Sequence, residues 1–166
     1  EINRMLCVGM LLKKGFKEEI DLMSAATKVG QELMEGIPKT ELSNAFFAEE
    51  KSLLQNLKKA MLMITGAAVQ KFGPKFDKEQ QIILALSDIL IEIYMIESAI
   101  LRTEKNCERF GLDSQKNQID MTQLYLFDAI EKINSKGKEA IVSFADGAQL
   151  KGMIAGLKQY TKYQNY

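Results

Sequence analysis

Three carboxylates lie close together in the stretch Leu84–Glu104, and their spacing could serve acid–base chemistry. They are Asp88, Glu92 and Glu97. Two carboxyl groups can act as acid and base when burial separates their pKa values. The sequence places no cation at a fixed spacing from them, so a structural role is favoured. We expect Asp88 and Glu92 to form a solvated i,i+4 pair, and Glu97 to be a buried acid bonded to Arg or Tyr from another helix.

The chain contains no histidine, which removes the commonest general base and the commonest metal ligand. A carboxylate di-iron site in a helical bundle is also excluded, because that class uses Glu-x-x-His motifs. The two cysteines, Cys7 and Cys107, lack CxxC spacing. They are expected to be reduced, largely buried thiols, with a disulfide as the open alternative. We predict neither a metal site nor a catalytic residue.

The charge balance argues against nucleic acid as a partner. Basic and acidic residues number 22 each, so the net charge is zero. Hydrophobic residues at 46% and charged residues at 27% are typical of a globular domain with its own core. No apolar run has the length needed to cross a bilayer.

Apolar residues recur at helical spacing along most of the chain, and no segment alternates with the period of a strand. Breaks fall at Pro38 and Pro74. Asp77 with Gln80, and Asp146 with Gln149, match the capping-box pattern at a helix start. The predicted helices are Ile2–Lys14, Glu18–Glu35, Phe46–Phe72, Asp77–Phe110, Gln118–Ala145 and Asp146–Thr161.

These helices predict an all-α fold: an antiparallel four-helix bundle preceded by a two-helix N-terminal segment. The two N-terminal helices are expected to form a separate pair, with a linker at Lys39–Ala45. We therefore divide the chain into residues 1–38 and 39–166. Gly137, Gly66 and Gly156 lie inside helices. Glycine costs roughly 1 kcal/mol there relative to alanine, so we expect close helix contacts at these positions.

Four segments resemble the acyl-CoA dehydrogenase family, in its very-long-chain-like branch with an extra C-terminal helical domain. The opening EINRML, continuing into GMLL at Gly9–Leu12, resembles the last segment of the catalytic part. Ala85–Glu104, Leu124–Ile133 and Leu150–Thr161 resemble segments of the C-terminal domain. The motifs are packing patterns, so their specificity comes from their order and number.

The resemblance implies a parent enzyme that uses FAD to oxidise an acyl-CoA to the 2,3-enoyl product. The family's catalytic glutamate would lie upstream of Glu1, so the chain is expected to be a non-catalytic, architectural fragment without FAD of its own. Glu1 matches a family position near the flavin. The implied partners are the catalytic part of the parent chain and further copies in a homo-oligomer. The implied location is the cytoplasm or an organelle matrix, with a position peripheral to the inner membrane as the alternative.

Two other functions stay open. The first is peripheral membrane association through Val29–Lys59, although acidic residues among its lysines weaken attraction to anionic lipid. The second is a free-standing module that binds a partner helix in an exposed, Met-rich groove. The apolar face of the first helix adds an expectation: the chain either self-associates or folds that helix back on its own bundle.

Overall fold

The structure is a computed structural model that describes residues 2–36 and 45–163. Within these ranges the regular secondary structure is helical throughout, which confirms the all-α prediction. Short 3-10 segments, Gly73–Lys78 and Asp113–Gln115, precede the fourth and fifth helices. The helices are α1 Ile2–Phe16, α2 Leu22–Glu35, α3 Ala48–Phe72, α4 Gln80–Phe110, α5 Lys116–Phe144 and α6 Gly147–Tyr160.

Helices α3 to α6 form the predicted four-helix bundle. Each helix runs antiparallel to the next, while α3 and α5 lie side by side in the same direction and both contact α6. The apolar stripes meet in one continuous core, because isolated helices of this length need such packing to be stable. Its largest fully buried side chains include Leu53, Leu57, Ile64, Ile82, Leu86, Ile89, Ile96, Ile100, Leu126, Ile133 and Tyr160.

The two N-terminal helices pack on the bundle individually, so the expected separate pair is wrong. Helix α1 lies on α4 and buries Val8 and Leu12, whereas α2 lies on α3 and buries Val29. The bundle surface covers these inward-facing apolar side chains of α1 and α2. Apart from Ala45, the predicted linker falls outside the described residues.

Both predicted capping boxes are absent from the structure. Asp77 belongs to the 3-10 segment Gly73–Lys78, so α4 begins at Gln80. Phe76, in the same segment, is only 2% exposed, and its burial in the core positions this turn. Asp146 does lie at the N-cap of α6, but its side chain makes no capping hydrogen bond.

Small residues mark the close helix crossings, as predicted. A Cβ atom added to Gly137 on α5 would lie 2.8 Å from Cδ2 of Leu157 on α6. The same atom on Gly66 would lie 2.9 Å from Cβ of Ala26, and on Gly156 it would lie 2.8 Å from Cδ2 of Leu33. The glycines on α3, α5 and α6 therefore allow a neighbouring side chain to approach the helix backbone.

Candidate functional site

Asp88 connects three helices. An Nη atom of Arg4 on α1 lies 2.5 Å from its Oδ1, and Nζ of Lys136 on α5 lies 3.6 Å from its Oδ2. The hydroxyl of the preceding residue, Ser87, donates a hydrogen bond to the carbonyl oxygen of Arg4. The carboxylate therefore helps to hold α1 on the bundle.

Glu92, one turn further along α4, also bonds to α5. Its Oε2 accepts a hydrogen bond of 2.7 Å from the hydroxyl of Tyr125, and its Oε1 lies 3.2 Å from Nζ of Lys132. Burial raises the pKa of Tyr125 to about 12, and the hydrogen bond and charge of Glu92 add to that effect. A carboxylate held by a phenol and an ammonium group is suited to joining helices.

The expectation of a solvated Asp88–Glu92 pair is wrong. Their side chains are only 24% and 18% exposed, because each faces partners on other helices. They border a concavity of about 190 Å³ together with Lys132, Lys136 and three isoleucines. Each acid has a cation beside it, so the arrangement balances charge across the helix interface and favours a structural role.

Glu97 differs from its prediction in both burial and partner. Its side chain is 40% exposed, and it accepts a 2.7 Å hydrogen bond from Lys58 on α3. Two neighbouring lysines of α3 pair in the same way, Lys51 with Glu104 and Lys59 with Glu32. The membrane alternative relies on these lysines to attract anionic lipid. In the structure, each of them is instead paired with an acidic side chain of the protein itself.

The two cysteines are both free, as predicted, but they differ in burial. Cys107 is buried, whereas Cys7 is exposed on the outer face of α1. The prediction of burial is thus wrong for Cys7. Across residues 2–36 and 45–163, no group of three or more His, Cys, Asp or Glu residues is placed to hold a metal ion.

A groove lies between α2, α3 and α6. Its volume is about 990 Å³, and four methionines line it: Met23, Met34, Met63 and Met153. Sequence reasoning named a Met-rich groove as an alternative but did not place it, because α6 lies far along the chain from α2 and α3. The sequence features that could have indicated the groove are its methionines and the glycines on α2 and α6.

The outer face of α1 carries an apolar stripe, which we define as Ile2, Leu6 and Met10. These side chains are 73%, 53% and 58% exposed. The expectation is that the chain either self-associates or folds this helix back on its own bundle. Helix α1 lies on α4, which confirms the folding back. Glu1, at the flavin position implied by the resemblance, lies outside the described residues and its role stays a prediction.

Among the described helices, none combines the length and the hydropathy required to traverse a bilayer.

Comparison with known proteins supplies the family. The family model for "Acyl-CoA dehydrogenase, C-terminal domain" matches residues 56–159. A "Probable acyl-CoA dehydrogenase" of Bacillus subtilis (strain 168) is 32% identical over 162 residues, which is 98% of this chain and 27% of the relative. The crystal structure of a Bacillus anthracis acyl-CoA dehydrogenase complexed with FAD matches with a TM-score of 0.90 and 34% identity.

The chain covers only part of these larger proteins. The structural match includes 99% of this chain but 28% of the Bacillus anthracis chain, so our protein spans about a quarter of its relatives' length. The match to the family model extends over four of the six helices, from α3 to α6. The chain therefore belongs to the acyl-CoA dehydrogenase family, and it corresponds to the C-terminal domain of that family.

Proposed function

We propose that this chain is the non-catalytic C-terminal domain of a flavin-dependent acyl-CoA dehydrogenase. The whole enzyme would oxidise an acyl-CoA to the 2,3-enoyl product with FAD. Two findings support the proposal: the relatives are acyl-CoA dehydrogenases several times longer, and the Bacillus anthracis structure is described as a complex with FAD.

The role of the domain is architectural. The main support for this proposal is that α1 packs on the bundle with one face and exposes an apolar stripe on the other. The inner face is held by Val8, Leu12 and the Arg4–Asp88 pair, while the apolar stripe on the outer face is open to solvent. Contiguous apolar surface of this kind usually marks an interaction site. The stripe would rest on the catalytic part of the enzyme, and the domain would contribute to contacts between subunits.

We also propose that residues 1–38 belong with the catalytic part and that residues 39–166 form the added domain. The family match to residues 56–159 supports this division, since it lies entirely within the second part.

Neither described concavity fits FAD. The one beside Asp88 has a volume of about 190 Å³, which is below the range of roughly 300–1,000 Å³ for pockets that hold drug-sized ligands. The groove is large enough, but its lining has no cation to bind a pyrophosphate. The flavin would accordingly be held by the remainder of the enzyme.

Titration of the purified chain with FAD tests this proposal. We expect flavin fluorescence and absorbance to stay those of free FAD, with no stoichiometric complex retained on ultrafiltration. The Bacillus anthracis enzyme, crystallised with FAD, provides the positive control under the same conditions. A tight one-to-one flavin complex of the 166-residue chain would show that it is more than an architectural part.

A further inference from the structure

The groove between α2, α3 and α6 has a lining without charge. Its eighteen lining residues include neither an acid nor a base, although charged residues make up 27% of the chain. Met63 and Met153 lie buried at its floor, while Met23 and Met34 are 41% and 91% exposed at its edge. Methionine side chains adapt their shape to what they contact, so this surface suits a flexible apolar molecule.

Five polar side chains line the groove: Thr27, whose hydroxyl donates to the carbonyl oxygen of Met23, and the glutamines Gln31, Gln70, Gln149 and Gln159, which are exposed to solvent at its edge. In the part of the chain that the structure describes, no hydrogen bond engages their side-chain amides. Each amide offers both donors and an acceptor without a formal charge. Such groups can hold a hydroxyl, an ester or an amide, but they offer no opposite charge to an ion.

From these observations we propose that the groove binds an uncharged, chain-like amphiphile, with its apolar chain on the methionines and its neutral head on the glutamine amides. The volume of about 990 Å³ is within the usual range for a small-molecule site. The combination of an apolar wall and a few orienting polar groups is also typical of such sites. The site is independent of the flavin and acyl-CoA chemistry proposed for the whole enzyme.

The charge of the head group decides which ligand fits. At the exposed glutamines a head group keeps part of its hydration, but the apolar lining beside them removes the rest. A carboxylate or ammonium group gains no opposite charge there in return for the water that it loses. A hydroxyl can instead exchange water for an amide hydrogen bond at small net cost. We therefore expect a preference of about tenfold or more for the neutral head, where tenfold corresponds to roughly 1.4 kcal/mol.

Three probes with the same ten-carbon chain test the proposal: 1-decanol, decanoate and decylammonium. Methyl-labelled methionine provides the readout by NMR, because four of the nine methionines line the groove and five lie elsewhere. We expect 1-decanol to shift the four groove methyl signals saturably. The exposed Met10, Met95 and Met121 serve as internal controls on other surfaces.

Two substitutions fill the groove from opposite walls. A Cβ atom added to Gly30 on α2 or Gly152 on α6 meets no other atom within 4 Å, so phenylalanine can enter the open space there. We expect Gly30→Phe and Gly152→Phe each to abolish the response to 1-decanol. Gly9→Phe on α1 is the matched control, since its Cβ also meets open space but lies outside the groove. Circular dichroism checks that each variant is folded.

The outcomes separate the proposal from other occupants. Equal binding of all three probes, or equal shifts at Met10 and the groove methionines, would indicate nonspecific apolar adsorption and overturn it. Unchanged binding in both filled variants would place the ligand elsewhere. If Gly152→Phe converts a dimer into a monomer without any effect of 1-decanol, the occupant is a second copy of the chain.

Discussion

Two tyrosine hydroxyls in this protein meet opposite environments. Tyr125 donates a 2.7 Å hydrogen bond to Glu92, whereas the hydroxyl of the fully buried Tyr160 has no hydrogen-bond partner in the described structure. Burial raises the pKa of Tyr160 to about 12, and the charge of Glu32 adds to it. A buried polar group without a partner is a cost to the folded state, and a bonded one is not.

Phenylalanine substitutions should therefore have different effects at the two positions. We expect Tyr125→Phe to lower the free energy of unfolding at pH 7 by about 1–2 kcal/mol, because Glu92 loses a hydrogen bond. Tyr160→Phe should leave it unchanged within about 0.5 kcal/mol or raise it, because no hydrogen bond is lost. Urea denaturation followed by circular dichroism measures both.

The pH dependence supplies a second readout for Tyr160→Phe. An unfolded tyrosine ionises near pH 10, whereas the native Tyr160 stays neutral until about pH 12. The unfolded state thus binds fewer protons between these values, so stability is complete below pH 10 and falls as pH rises to 12. The free energy of unfolding should therefore fall by roughly 2–3 kcal/mol less between pH 10 and pH 12 in the Tyr160→Phe variant than in the unsubstituted protein. A slope equal to that of the unsubstituted protein would contradict the argument.

Sequence patterns located the acidic residues of α4 but not their partners. Glu97 and Lys58 are 39 residues apart, and Arg4 and Asp88 are 84 apart. Local spacing identifies neighbours within one helix, and so it predicted a solvated i,i+4 pair of Asp88 and Glu92. Their actual partners depend on which helix faces which, and that is decided by the packing of the whole bundle.

At the scale of the helix, the apolar periodicity predicted the extent of α3 to α6 well. The errors concern the helix starts, where two competing signals were present. Asp77 and Gln80 match a capping box, but Phe76 enters the core and the chain forms a 3-10 segment around it. A buried aromatic ring contributes more than one capping hydrogen bond, which sequence spacing alone does not reveal.

Glycines inside helices offer a matched pair of substitutions. Gly137→Ala places a methyl group 2.8 Å from Cδ2 of the fully buried Leu157, whereas Gly152→Ala places it in open space. We expect the first to destabilise the protein by about 1–3 kcal/mol through overpacking. The second should stabilise it by roughly 0.5–1 kcal/mol, because alanine favours the helix. Thermal unfolding compares the two.

Both substitutions lie in the interior of a helix, so helix propensity alone predicts the same gain for each. Similar melting temperatures for the two variants would mean that Leu157 moves aside at little cost. In that event the α5–α6 contact would be looser than the structure indicates.

For the whole molecule, the exposed apolar stripe of α1 predicts self-association when the rest of the enzyme is absent. We expect the purified chain to form dimers or larger species as its concentration rises, measured by analytical ultracentrifugation. Replacing Ile2, Leu6 and Met10 together by glutamine should restore the monomer, because the adhesive surface is removed.

A control variant separates the stripe from general surface hydrophobicity. Leu112, Leu124 and Val142 are 54%, 64% and 59% exposed, close to the values for the stripe, but they are scattered along the chain. Glutamine at these three positions should leave self-association unchanged. A chain that is monomeric at every concentration, or two triple variants that behave alike, would argue against the proposed role of α1.

The family and the all-α architecture were both accessible from the sequence, because they depend on the order of apolar segments. The groove between α2, α3 and α6 was not. It exists because Gly66 and Gly156 let α2 approach, while Gly30 and Gly152 leave space beside it. Four glycines with different surroundings look the same in a sequence, and only the positions of the helices distinguish them.

The side-by-side arrangement of α3 and α5 has a consequence for changes in chain length. Gln123 bonds Glu50, and Lys71 bonds the carbonyl oxygen of Phe144; both pairs are separated by 73 residues. One extra residue within α3 would turn everything beyond it by about 100° and misalign one of these contacts. Insertions and deletions that evolution tolerates in this bundle should therefore collect at the bend around Gly111, where lengthening the chain leaves both contacts intact.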